Sequence, residues 1–188
     1  MRKLVSLIHL SLDGFCAGPN GEMDWITVNP AIFEDADRVI ATAGAAVYGR
    51  TTYGMMRGYW PRVIDDEKEP EDRRAHARWV EAVEKITFSR TLEKSDWNNV
   101  QLKRDVAEIF DLKRQSGKNL LIFGSPGLVR SLQVLDAIDE YWMFLNPVLL
   151  RDGVRFFEGA HKTRFRIADA KRFEPDVMRF RYVRQDRT

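Results

Sequence analysis

The sequence predicts an α/β protein with a mainly parallel sheet that finishes in antiparallel strands. Three observations carry this reading. Short apolar runs at residues 4–10, 45–48, 85–89 and 119–123 alternate with segments of helical periodicity. Three of those runs end in turns rich in glycine or hydroxyls, at residues 49–52, 89–91 and 124–127. Beyond residue 163 the pattern becomes a strict alternation of apolar and charged residues, the period of an antiparallel pair.

Each element follows from its own residues. Residues 4–10 are nearly all apolar, which suits a strand covered on both faces. Residues 11–21 hold three glycines, a proline and an asparagine and read as a turn-rich stretch. Asn29 followed by Pro30 is a helix start, with Phe33, Asp37, Val39 and Ile40 at roughly helical offsets. Residues 49–53 turn straight from a strand into a short helix. Residues 61–74, bounded by Pro61 and Pro70 and carrying five consecutive charges at 65–69, read as an exposed loop. Helices are expected over 73–83, 105–115 and 128–135, and a strand over 140–147. Residues 163–167 and 178–184 read as a hairpin around Glu174, Pro175 and Asp176. Phe165, Ile167, Phe180 and Tyr182 would face in, and Arg164, Arg166, Arg179, Arg181 and Arg184 would face solvent.

Composition narrows the class. Thirty basic against 28 acidic side chains leave a net charge of +2, too little to attract nucleic acid or an anionic membrane by field alone. One cysteine, Cys16, excludes an internal disulfide, and with three scattered histidines it predicts no metal site. No run approaches the ~18 apolar residues of a membrane span. The expectation is one soluble, cytoplasmic domain over residues 1–188.

Glycines at strand ends let backbone approach a ligand, and the helices that follow offer free N–H groups. Arg50 and Arg90 can grip a phosphate bidentately, with Thr51, Thr52 and Ser89 as hydroxyl donors. Neither G-x-G-x-x-G nor the phosphate loop G-x-x-x-x-G-K-[ST] is present, so a dinucleotide site would belong to another architecture.

The segments Ser11-Leu12-Asp13-Gly14, Gly21-Glu22-Met23-Asp24-Trp25-Ile26-Thr27, Gly49-Arg50-Thr51-Thr52-Tyr53, Ser89-Arg90-Thr91-Leu92, Phe123-Gly124-Ser125-Pro126-Gly127-Leu128, Asp139-Glu140-Tyr141, and Asn146-Pro147 followed by Gly153 and Phe156-Phe157, in this order, resemble the dihydrofolate-reductase-like fold. More closely they resemble the reductase half of the riboflavin-biosynthesis deaminase–reductase and its stand-alone relatives. The resemblance implies a three-layer fold, NADPH as cofactor and a small-molecule substrate. It implies that Gly49, Arg50, Thr51 and Thr52 lie on the pyrophosphate and adenosine side, and that Ser89 and Arg90 meet the adenosine ribose and its 2′-phosphate. Phe123, Gly124, Ser125, Gly127, Leu128 and Val129 would cradle the pyrophosphate, with a strained or cis Gly124–Ser125 step. Ala17, Gly18 and Trp25 would sit near the nicotinamide. The deaminase signatures H-x-E and P-C-x-x-C do not occur.

At the substrate end no carboxylate follows Trp25 until Glu34 and Asp35, which argues against folate itself. Proton handling is expected from Asp13, with Trp25 at the reacting end. Asp24, Glu22 and His9 rank lower: Asp24 reads as solvated and His9 as a core residue. His76 reads as surface, His161 as a loop residue without a visible partner, and Cys16 as lacking a base. Trp60 either closes over substrate or packs down the charged loop. Tyr141, Trp142 and Phe144 read as core, and relatives of this type commonly pair across that part of the sheet, so a homodimer is expected. The function expected is hydride transfer from NADPH to a C=N or C=O of a pterin- or aminopyrimidine-like heterocycle. The alternative is a dimeric NADP-binding module without turnover.

Overall fold

The computed structural model describes residues 1–159 and 162–185. In chain order the elements are β1 (Leu4–Leu10), β2 (Phe15–Ala17), α1 (Pro30–Ile40), β3 (Ala43–Gly49), α2 (Arg50–Val63), α3 (Glu71–Ala82), β4 (Glu84–Phe88), β5 (Val100–Lys103), α4 (Ile109–Arg114), β6 (Asn119–Phe123), α5 (Pro126–Val134), β7 (Glu140–Leu145), β8 (Val154–Arg155), β9 (Phe165–Phe173) and β10 (Val177–Arg184). Eight strands form one sheet in the order β5-β4-β3-β6-β1-β7-β10-β9. The six strands from β5 to β7 run parallel, and β10 and β9 complete the sheet antiparallel. Strands β2 and β8 form a separate two-stranded ribbon.

The chain is thus a three-layer α/β fold. On one face Val5, Ala46, Tyr48 and Leu121 pack against Val39 and Ile40 of α1, Tyr53 of α2 and Val80 of α3. On the other, Leu4, Ile8, Val47 and Ile122 pack against Ile109 and Leu112 of α4 and Leu128, Val129 and Leu132 of α5. Helix α1 starts as the sequence predicts: the Asn29 side chain accepts from the Ile32 N–H at 3.0 Å, and Pro30 takes the first helical position. Lys85, fully buried, donates its Nζ to the carbonyls of Val80, Glu81 and Val83 and so closes the C-terminal end of α3.

Of the segment expected as a loop over 61–74, residues 64–70 with their charged run are irregular and largely exposed, while both ends are helical. Helix α2 continues through Pro61 to Val63, so the proline removes one N–H···O=C bond of the last turns without ending the helix. Helix α3 starts at Glu71, with Glu71 and Asp72 in the first turn facing its positive dipole end. His76 is correspondingly not a surface residue. Its side chain is 8% exposed and its ring lies 4.4 Å from Trp60, 5.9 Å from Trp79 and 6.1 Å from Phe123. Trp60 therefore packs α2 against α3. His161 lies outside the described residues.

The C-terminal hairpin also departs from expectation. Arg179 is only 2% exposed. Its Nε donates to Asp35 Oδ2 at 2.8 Å and its Nη1 to Asp169 Oδ2 at 2.8 Å, while its guanidinium lies 4.8 Å from the Trp142 ring. Arg181 donates to Glu140 at 2.6 and 3.1 Å. The arginine face of β10 is the one α1 covers, and acids on α1, β7 and β9 neutralise it. The opposite face, with Phe165, Phe180 and Tyr182, is only half-buried, and Ile167 is 54% exposed. Tyr141, Trp142 and Phe144 are buried within the chain.

Asp35 is fully buried, and removing Arg179 leaves its charge with only the longer contact to Lys171 Nζ at 3.5 Å. Arg179→Met is expected to cost about 3–5 kcal/mol in urea unfolding, and the double variant Asp35→Leu/Arg179→Met much less.

Candidate functional site

The parallel strands aim their C-terminal ends at one edge of the sheet. Helices α1 and α2, which follow β1 and β3, leave on one face, while α5, which follows β6 between them, leaves on the other. A crevice opens at such a reversal, and it is where open α/β sheets bind ligands.

The crevice is built around the turn after β6. Gly124 and Ser125 are both left-handed, at φ +51 and +54. Ser125 is not a residue that adopts this conformation freely, so the neighbourhood must hold it there. Its Oγ accepts from the Gly49 N–H and donates to the Phe123 carbonyl, each at 3.1 Å. The strain expected at Gly124–Ser125 is present in the φ values, but the peptide bond is not cis; the only cis bond among the described residues is Glu174–Pro175. The outer surface of the turn is open. A Cβ built on Gly124 meets only Ile8 Cδ1, at 4.0 Å, and one on Gly127 meets nothing within 4 Å. Pro126 has no N–H and Val129 donates to Ser125 O, which leaves Gly127 and Leu128 as first-turn amides without an intrahelical partner. The side chains of Phe123, Leu128 and Val129 point into the core, so only their backbone borders the crevice.

Two further segments close on this turn. Gly49 opens α2, with Arg50 and Thr51 exposed behind it and Thr52 half-buried. Arg50 Nη1 donates to Thr91 Oγ1 at 2.8 Å and so ties the start of α2 to the loop after β4. In that loop the buried Ser89 hydroxyl accepts from the Thr91 and Leu92 N–H groups, and its carbonyl accepts from Arg104. Ser89 shapes the turn by accepting both amides, and its own O–H proton has no acceptor among the described residues. Arg90 beside it is exposed, and no hydrogen bond or ion pair joins it to the described residues.

The rim at the end of β1 holds the expected reacting-end residues. Asp13 does not suit a proton donor. Its carboxylate accepts from Ser11 Oγ at 2.6 Å and from the Leu150 and Arg151 N–H groups at 3.2 and 2.8 Å. These donors, Ser11 first, pull its pKa down to about 2, so it is a carboxylate at neutral pH that fastens residues 150 and 151 to the first turn. Ala17, at the end of β2, pairs with Val154. Gly153 is required there, since a Cβ at its position would stand 2.2 Å from the Ala17 carbonyl oxygen. Trp25 is half-buried and donates its Nε1 to Glu22 O at 3.1 Å. Gly18 donates to the same Glu22 carbonyl, and the Glu22 carboxylate is held by Asn20. Asp24 is exposed. Burial pushes the Cys16 thiol up to about 11, which makes it a poor nucleophile.

Two residues matter more here than their sequence context suggests. Asn146, fully buried after β7, accepts the Thr27 N–H on Oδ1 at 2.9 Å and so anchors the loop that carries Trp25. His9, the second-last residue of β1, lies 3.4 Å from Asn146 Nδ2 and stacks on Phe144 at 4.8 Å. Burial lowers the His9 pKa to about 4, so the ring is neutral at pH 7. A cavity of about 350 Å³ lies at the opposite end of β7, between Gln133, Tyr141, Phe157, Phe165 and Tyr182. Among the described residues no three His, Cys, Asp or Glu side chains are placed to hold a metal, and no helix is long and apolar enough to cross a membrane.

The lowered pKa of Asp13 has a pH signature. The ionised clamp favours the folded state above the ordinary carboxylate pKa near 4, and that contribution is lost as pH falls toward 2. Asp13→Asn is expected to flatten the acid limb of stability between about pH 4 and 2. Thermal unfolding across that range checks it.

Comparison with known proteins bears on the fold and the family. A family model described as the RibD C-terminal domain matches residues 2–179. The uncharacterized protein YyaP of Bacillus subtilis is 26% identical over 184 residues, covering 96% of this chain and 94% of its own. A crystal structure from Shewanella sp. PV-4, provisionally described as a riboflavin biosynthesis protein, superposes with a TM-score of 0.75 at 20% identity, covering 98% of this chain and 99% of its own. Dihydrofolate reductase from Enterococcus faecalis, complexed with NADP(H), superposes with a TM-score of 0.61 at 16% identity, covering 98% and 97%.

Proposed function

The chain belongs to the RibD C-terminal domain family, and on that premise we propose that it is an NADPH-dependent reductase of a small pterin- or aminopyrimidine-like heterocycle. One observation carries the reading: the open turn at Gly124–Gly127, the start of α2 and the loop bearing Arg90 converge at the topological switch of the sheet. These residues fit a dinucleotide. The Gly127 and Leu128 amides and the open glycine positions suit a pyrophosphate, with Gly49 and Ser125 fixing the turn that presents them. Arg90, without a partner among the described residues, suits the 2′-phosphate, with Arg50, Thr51, Thr52 and the Ser89 turn beside it. Ala17, Gly18 and Trp25 line the rim toward the nicotinamide. NADPH, when bound, supplies the hydride to the carbon of C=N or C=O, while the heteroatom takes a proton from water and NADP⁺ is released. The protein binds, orients and excludes solvent, and Asp13 positions the rim.

One rival reading is favoured by a specific observation. The carboxylates of Asp13, Glu22 and Asp35 are all committed to other groups, which suits a nucleotide-binding module without turnover. NADPH oxidation over a panel of pterins, aminopyrimidines and quinoid imines separates the two. Tight NADPH binding with no oxidation anywhere would favour the module. We assign the protein to the cytoplasm and to a homodimer. The support for pairing is the face formed by Met143, Phe165, Ile167, Phe180 and Tyr182, where Ile167 is exposed and the others are only half-buried among the described residues.

Two outcomes are expected. Arg50→Ala with Arg90→Ala should weaken NADPH roughly tenfold or more per lost charged contact while barely changing NADH, measured by fluorescence titration; equal losses for both cofactors would remove the 2′-phosphate assignment. Tyr182→Glu should shift the chain toward monomer in sedimentation velocity without changing its circular dichroism, because it places a charge in the proposed apolar contact.

A further inference from the structure

We propose that His9 contacts the substrate directly, donating a hydrogen bond from its Nε2–H to a carbonyl oxygen or ring nitrogen at the polar edge of the heterocycle. This rests on the reductase reading of the cleft and assigns the group that recognises the substrate there.

Position comes first. Alternation along β1 places Val5, Leu7 and His9 on the face covered by α1. Val5 packs in the cluster that holds Val39 and Ile40, and Leu7 packs beside Ile32 and Ala36. Each step along β1 thus moves toward the start of α1. His9 is the last of the three, level with the mouth of the crevice, where the Thr27 loop meets Asn146. Its ring stacks nearly parallel on Phe144, with 16° between the planes, and Phe144 is fully buried, so the ring plane is fixed.

The tautomer then follows from the hydrogen bonds. The Thr27 N–H can only donate, so the Asn146 atom that meets it at 2.9 Å is the amide oxygen. Asn146 Nδ2 therefore faces the Phe144 carbonyl at 3.1 Å, and the Leu10 carbonyl and His9 Nδ1 at 3.4 Å each. The Phe144 and Leu10 carbonyls compete for the two Nδ2 protons, but an amide nitrogen has no acceptor capacity, so a proton on His9 Nδ1 would face a donor; the geometry therefore favours the ring proton on Nε2. Among the described residues no group takes that proton. Nε2 is also absent from the buried polar atoms left without a partner, so it meets solvent at the mouth. The ring stays neutral at pH 7 because burial disfavours its charged form.

A fixed, neutral, uncommitted N–H donor at this place sets a substrate class. A carboxylate would accept from the amino and ring N–H groups of an amidine-like edge. His9 offers the reverse: it pairs with a carbonyl oxygen or an unprotonated ring nitrogen and opposes an amino group in the same place. A neutral imidazole that donates to such an acceptor also polarises the adjoining double bond.

The test uses the full chain saturated with NADP⁺ and labelled with ¹⁵N in histidine. Two probes are compared: lumazine, a pteridine bearing two carbonyls, and a diaminopteridine bearing amino groups there instead. His9→Gln assigns the His9 signals. The expected result is an Nε2–H tautomer in the free protein, an Nε2 resonance that moves with lumazine and not with the diaminopteridine, and a lumazine affinity that falls about tenfold in His9→Phe but less in His9→Gln, which keeps a donor. NADPH affinity is expected to be unchanged in both variants, which also reports that they fold. An Nδ1–H tautomer, lumazine binding indifferent to His9→Phe, or no lumazine binding to the wild type would overturn the proposal. NADPH oxidation is read separately: its absence beside His9-dependent lumazine binding would remove the reductase reading and leave this contact standing.

Discussion

Two left-handed residues in succession, Gly124 and Ser125, hold the centre of the molecule. They turn the chain out of β6 onto the face opposite to that taken by α1 and α2. A serine in this conformation is disfavoured, and the Ser125 hydroxyl offsets the disfavour by bonding both the Gly49 N–H and the Phe123 carbonyl. That one hydroxyl fixes β3 to β6 at the end where the crevice forms. It also aims the first turn of α5 outward and leaves Gly127 at the surface. Without the reversal, the strand ends would be capped by helices on one side and no crevice would open between them.

Polar groups brought from far along the chain stabilise the rest of the site. Asp13 fastens the loop after β7, and Asn146 fastens the loop after β2. Glu140 receives both the Trp142 indole N–H and the Arg181 guanidinium, and Arg179 joins α1 to the hairpin through Asp35. In each case a buried or half-buried polar group finds its partner on another element. The helix-covered face of β7 and β10 is therefore a stack of neutralised charges alternating with aromatic rings, while the uncovered face is almost wholly apolar.

Local pattern made much of this legible in the sequence. The strand–turn–helix units at Gly49 and Gly124, the Asn29–Pro30 helix start and the antiparallel end were readable because each depends on neighbours within a few residues. The resemblance among scattered short segments supplied their spatial order. What could not be read depends on distance. Asp35 and Arg179 lie 144 positions apart, so the arginine periodicity of β10 looked like a wet face. Asp13 meets its backbone donors 137 and 138 positions away, and nothing local distinguished a clamp from a proton donor. The three-residue β2 and two-residue β8 are too short to carry a pattern. His76 was misplaced because α3 is charged on the sides flanking it, while most of the rings that enclose it come from α1, α2 and β6. His9 was read as core because its hydrogen-bonding neighbour, Asn146, belongs to another strand end.

The rim of the cleft is cross-stitched. Asp13 is bonded to residues 150 and 151, Leu12 N–H to Val148 O, Thr27 N–H to Asn146, and the backbone at Gly153 lies flat against Ala17. Two stretches of chain more than a hundred residues apart in sequence are therefore one mechanical part. Grafting either loop alone from a relative would leave severed bonds on both sides and a Cβ clash wherever the glycine is not matched. Any attempt to redirect this scaffold to a new substrate has to exchange both stretches together, as a cassette, and the same coupling would have bound their divergence to each other as the family spread.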